Sequence, residues 1–149
     1  MRNKIVLTIL LVVVFIVTSC SSDDGDIIID TANIQQISNT AKTGTWHITS
    51  FIDSGNNETA NFTGYNFTFN DNGTLAASNG SNTINGTWSV TNSSSSSSND
   101  VDFNIAFASP PNFQELSEDW DIVSASNSKI DLIHVSGGNG GTDTLTFEK

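Results

Sequence analysis

The sequence predicts an all-β domain: eight short antiparallel strands, closed as a barrel or packed as a sandwich, behind one short N-terminal helix. Three observations carry this. From Gly44 onward apolar residues recur with a period of two. Turn-forming clusters of Asn, Asp, Gly and Ser separate these runs at regular intervals. Helical spacing is confined to a segment before Gly44 and to one turn near Pro110. A chain of 149 residues fits one such domain.

The first 19 residues stand outside that domain. Arg2 and Lys4 precede an apolar run from Ile5 to Val17. Thirteen residues are too few for a spanning helix, which needs roughly 17–25, but suit a signal peptide. Val17-Thr18-Ser19-Cys20 resembles the lipobox of bacterial lipoproteins, which implies cleavage before Cys20 and acylation (palmitate-type chains) of that residue. Cys20 is the only cysteine, so no intramolecular disulfide is possible. Residues 20–29, with Ser21-Ser22-Asp23-Asp24-Gly25-Asp26, read as a lipidated flexible tether. Ser21 is compatible with sorting to the bacterial outer membrane, and the acidic run resembles a surface-export signal of Bacteroidota-type lipoproteins. A surface-exposed anchor is therefore expected, with a periplasmic-facing one as the alternative.

The folded domain is expected over residues 30–149. Ile34, Ile37 and Ala41 fall at helical spacing, Asp30 can cap their helix, and Ile29 can staple to Ile34. Gly44 stops it. The first strand then alternates Trp46 and Ile48 with His47 and Thr49. The second carries Tyr65, Phe67 and Phe69 and ends in the tight-turn signal Asp71-Asn72-Gly73. Thr74 to Ser78 is a short third strand. Ile84, Gly86, Trp88 and Val90 share a face of the fourth, and Val101, Phe103, Ile105 and Phe107 a face of the fifth. A serine run at 91–100 joins these two and carries no chemistry. Ser109 as cap, Pro110 at the first position, Phe113 and Leu116 predict a helical turn. Trp120 to Ser124, Lys129 to Val135 and Thr142 to Phe147 complete the set, with Asn127-Ser128 turning between the first two of these.

Composition narrows the function classes. Lys and Arg total 5 against 16 Asp and Glu, a net charge of −11. Nucleic-acid binding needs basic phosphate contacts and is excluded on that balance. After cleavage only Lys42, Lys129 and Lys149 remain, so acyl chains rather than charge would hold the protein at a membrane.

Several motifs together resemble a known family. Gly44-Thr45-Trp46 on the first strand, Asp71–Thr74, a second Gly-Thr-Trp at Gly86–Trp88, Leu116–Trp120 and the closing Leu145–Lys149 are similar to the lipocalin-like domains of Bacteroidota-type lipoproteins. The resemblance spans about 105 residues, Gly44 to Lys149. It implies a calycin-like fold: an eight-stranded antiparallel up-and-down lipocalin-like barrel with a short N-terminal helix. The Thr-Asp-Tyr usual before the seventh strand is replaced by Asn127-Ser128, and Lys149 stands where an Arg usually covers the first-strand Trp. In such a barrel Trp46 and Lys149 meet at the closure, with a cation–π contact worth roughly 0.5–2 kcal/mol.

The resemblance also implies a non-catalytic protein with a mouth at the end bearing the longer loops. The expected function is binding of a small apolar ligand there, with Tyr65, Phe107 and Phe113 as upper wall and His134 as polar handle. The alternative is an interaction or adhesion module with a packed core, since nine of sixteen inward positions are aromatic and eight strands enclose little space. No cofactor and no metal site are expected, and a monomer is anticipated. His47 and His134 fall at opposite ends of the barrel. Glu115, Glu118, Asp119 and Asp121 read as a solvated helical turn, weak calcium binding being the lesser reading. No Gly-x-Ser-x-Gly or phosphate-binding glycine loop occurs, and Gly137–Gly141 reads as a hairpin.

Overall fold

A computed structural model describes residues 31–93, 101–137 and 141–149. The signal peptide, Cys20, the tether, the Asp30 cap, the Ile29 staple and most of the serine run lie outside the described residues. The elements are α1 (Thr31–Lys42), β1 (His47–Asp53), β2 (Asn56–Asn57), a 3-10 turn (Thr59–Phe62), β3 (Asn66–Phe69), β4 (Thr74–Ser78), β5 (Thr83–Asn92), β6 (Val101–Ala106), α2 (Pro111–Gln114), β7 (Asp119–Ala125), β8 (Lys129–Val135) and β9 (Thr142–Glu148).

The strands form one curled antiparallel sheet in the order β2-β1-β9-β8-β7-β6-β5-β4-β3. First and last long strands are neighbours, with His47 opposite Glu148 and Ile48 opposite Phe147. The sheet does not close as a full ladder. Among the described residues its two sides join at one backbone bridge: Trp46 N–H donates to the Phe67 carbonyl at 2.9 Å, and Phe67 N–H to the Trp46 carbonyl at 2.8 Å. Register shifts in β1 (between Ile48 and Ser50) and β7 (between Ile122 and Ser124) help the curl, because a bulge bends its strand.

The described residues form nine strands rather than eight. The extra one follows from Ser54-Gly55, whose φ values of 48° and 83° make the tight turn of a two-residue hairpin. β1 therefore runs on to Asp53 and turns back through Asn56–Asn57. The turn near Pro110 also differs. Its helix starts at Pro111, Pro110 takes the cap position, and no side chain caps it, so Ser109 has no such role.

The core carries many aromatic rings. Trp46, Phe51, Phe62, Phe67, Phe69, Phe103, Phe113, Trp120 and Phe147 are all buried. Phe69 packs edge-on against Trp88, Phe103 and Phe147 at 5.1–5.5 Å. Each indole N–H ties a neighbouring segment to the sheet: Trp46 to the Ala41 carbonyl of α1, Trp88 to Asn70, and Trp120 to Leu116 after α2. A buried indole needs such a partner. Gly86 lets Phe107 lie against the β5 backbone, where an added Cβ would stand 2.6 Å from the Phe107 ring. α1 lays Ile37 and Ala41 against the core at the end where β1 begins and β9 finishes. Lys149 Nζ lies 4.4 Å from the centre of the Trp46 ring there.

Candidate functional site

The opposite end of the sheet gathers the chemistry. It carries the β1–β2 hairpin, the 3-10 turn, α2 and the ends of β8 and β9. The 3-10 turn is fastened by Thr59, whose side chain accepts the Phe51 N–H at 2.8 Å. α2 begins where the Pro110 carbonyl accepts the N–H groups of Phe113 and Gln114. The Ser117 hydroxyl then accepts the Phe107 N–H at 2.9 Å. These bonds aim Phe62 and Phe113 into the end of the curl, where their rings meet at 5.2 Å.

Three of the four residues expected to line a ligand mouth converge here. Tyr65 and Phe107 each pack on Phe113 with ring centres 5.1 Å apart. Phe107 and Phe113 are buried, and Tyr65 is half-buried against the core. They form an interlocked cluster, with Phe67 a further neighbour of Phe113 at 6.2 Å. His134 stands apart from it, with its ring 6.2 Å from Trp120.

His134 belongs instead to an acidic rim. Its Nε2 lies 3.6 Å from Glu118 Oε2 and 3.7 Å from Asp119 Oδ1. Its Nδ1 lies 3.7 Å from Asp143 Oδ2 and has no hydrogen-bond partner, although that atom is buried. Asp143 is opposite His134 in the β8–β9 ladder, and its Oδ1 accepts the Ser54 N–H at 2.7 Å. Further along the rim, burial and then the charges of Asp53 and Glu58 push the Glu115 carboxyl above its ordinary pKa. The rim thus concentrates negative charge. Asp121 sits farther along β7, paired with Asp102 and Ile133. His47 is exposed at the start of β1, near the Tyr65 carbonyl; it lies opposite Glu148 whereas His134 lies opposite Asp143, so the two do not meet.

Clefts lie along the sheet, and one of them reaches Glu118 and Asp119 of this rim. One of about 510 Å³ runs between α1 and the sheet, lined by Ile37, Val101, Ile122 and Ala125 with Asn33, Gln36, Thr40 and Asp121. Another of about 520 Å³ lies across the outer surface of β5 and β6 beside Glu118 and Asp119. Reading single strands does not reveal the α1 cleft, because it needs the helix seated on the sheet. The His134 group was reachable in principle: an up-and-down topology puts the turn after α2 and the end of β8 at the same end.

No protein-family model matches this chain. No curated protein matches it. Among solved structures, the chain is similar to a DUF4847 family protein from Bacteroides vulgatus, with 19% sequence identity and a TM-score of 0.44. The match covers 75% of this chain and 96% of that one.

Proposed function

We propose that this chain is a lipid-anchored, non-catalytic, lipocalin-like module with a filled interior, working through its outer surface and acidic rim at the bacterial outer membrane. The observation that carries the reading is the Phe62–Phe113 contact at 5.2 Å, with both rings buried across the end of the curl. An apolar ligand entering there would have to displace Phe113. The closed-barrel form draws support from the β1–β9 pairing and the Trp46–Phe67 bridge. The anchor rests on Cys20 and its preceding small residues, and the absence of catalysis on the missing nucleophile motifs. A monomer on its tether, with a protein partner at the rim, fits this arrangement.

A second reading has its own observation. The α1 cleft falls within the ~300–1,000 Å³ typical of small-ligand sites and has an apolar floor. One titration separates the two. The chain from Ser21 onward is titrated with N-phenyl-1-naphthylamine, a neutral apolar fluorophore. A filled interior gives no saturable signal in the wild type and a new site in Phe113→Ala. Saturable binding in the wild type that Ile37→Asp abolishes would favour the α1 cleft. Saturable binding that survives Ile37→Asp would point to the interior and defeat the filled-core reading.

A further inference from the structure

We propose that Glu118, Asp119 and His134 form a binding site for a divalent transition-metal ion of the Zn²⁺ type. The three side chains each offer one ligand atom, and those atoms all lie within 4.8 Å of one another. Around the imidazole the spacings are 3.6 and 3.7 Å. Tetrahedral Zn²⁺ with bonds of about 2.0–2.2 Å needs ligand atoms roughly 3.3–3.6 Å apart, so small side-chain rotations suffice. One imidazole and two carboxylates leave a fourth position open. A nitrogen donor disfavours Ca²⁺, which takes oxygen ligands in larger number.

Asp143 supplies an independent reason. A metal-bound imidazole donates its other N–H to a carboxylate or carbonyl, which fixes its tautomer and aim. Here Nδ1 is a buried atom without a hydrogen-bond partner, and Asp143 Oδ2 is 3.7 Å away. The Ser54 N–H fixes the other Asp143 oxygen. A small closure of that gap completes the arrangement and leaves Nε2 free to face Glu118 and Asp119. The supports are ordered: the Glu118 carbonyl accepts the Ile105 N–H, and His134 and Asp143 are paired in the β8–β9 ladder.

Charge points the same way. Three carboxylates surround one imidazole, and Asp143 is buried. The described lysines are engaged elsewhere: Lys42 with Asp71, Lys129 with Asp131, and Lys149 over Trp46. A bound divalent cation would supply the positive charge that no lysine brings.

The test is calorimetric titration of the full chain with Zn²⁺, in a Cys20→Ala background so that the thiol does not compete. The expected result is one ion per chain. Glu118→Gln, Asp119→Asn and His134→Gln should each weaken binding at least about tenfold, and Asp143→Asn, at a positioning residue, by about 10–100-fold. His47→Gln should leave binding unchanged. Imidazole ¹⁵N spectra of the wild type should show His134 Nε2 shifting on Zn²⁺ addition while Nδ1 keeps its proton. No saturable binding would overturn the proposal. So would binding that persists unchanged in both Glu118→Gln and Asp119→Asn, or that is lost in His47→Gln. Glu118 and Asp119 side chains are partly or well exposed, so those two variants keep the test open even if His134→Gln misfolds.

Discussion

Replacing Phe113 by Ala removes the keystone of the aromatic plug. The ring is fully buried, with Phe62, Tyr65 and Phe107 at 5.1–5.2 Å and Phe67 at 6.2 Å. Truncating a buried Phe costs about 3–5 kcal/mol, from lost transfer energy and the cavity left behind. That is a large share of a domain stability of about 5–15 kcal/mol. At this size each kcal/mol shifts the midpoint by roughly 4 °C, so Tm should fall by about 12–20 °C. Circular dichroism melts of wild type and variant measure this directly. Val123→Ala is the control, because that side chain is 64% exposed and its loss should cost no more than about 0.5 kcal/mol. A Tm drop below about 4 °C for Phe113→Ala, equivalent to ~1 kcal/mol, would refute the claim that Phe113 fills the interior.

Other outcomes follow from the same packing and charges. Gly86→Ala places a methyl against the Ala106 carbonyl and the Phe107 ring and should cost about 1–3 kcal/mol; an unchanged urea midpoint would contradict it. Lys149→Ala should cost at most about 2 kcal/mol, whereas Trp46→Ala should cost about 3–5, a difference thermal melts resolve. Burial opposes ionisation of Asp131, but hydrogen bonds from Lys129, Ser124 and Thr146 together outweigh it and hold its pKa below the ordinary value. Its stabilising effect is therefore present above the unfolded carboxylate pKa of about 4 and lost as pH falls through the lower folded value. The stability gap between wild type and Asp131→Asn should be full at neutral pH and close in acid; a gap independent of pH would count against this. Cys20→Ala should abolish labelling by radioactive fatty acid, and label on that variant would disprove the lipobox reading.

How far the sequence was legible depends on the local rules each segment obeys. Period-two alternation located every long strand, and Asp71-Asn72-Gly73 made the turn it signals, with Gly73 N–H donating to the Asn70 carbonyl. Alternation fails where a bulge changes its phase. Continued from Trp46 and Ile48 it would bury Ser50, yet the shift after Ile48 turns Phe51 inward instead. Phe62 and Phe113 escape strand logic because both sit on single helical turns. The Phe113 turn was readable, and its buried ring packs against Phe62, Tyr65 and Phe107. Glu118 and Asp119 are distant from His134 in sequence. They meet because β7 and β8 pair antiparallel with Asp121 opposite Ile133. The sequence places the imidazole and the acids at the same end, but the Asp143 contact behind the imidazole depends on β8–β9 register, which no short motif encodes.

The central claim is that the curl of the sheet holds side chains and no ligand-sized space. Xenon-pressurised crystals test it most directly, because xenon enters dry apolar cavities. No xenon is expected within the curl of the wild type, and one new site is expected in Phe113→Ala, between Phe62, Tyr65 and Phe107. Xenon bound between Phe62, Phe113 and Trp120 in the wild type would contradict it and return the interior to ligand binding.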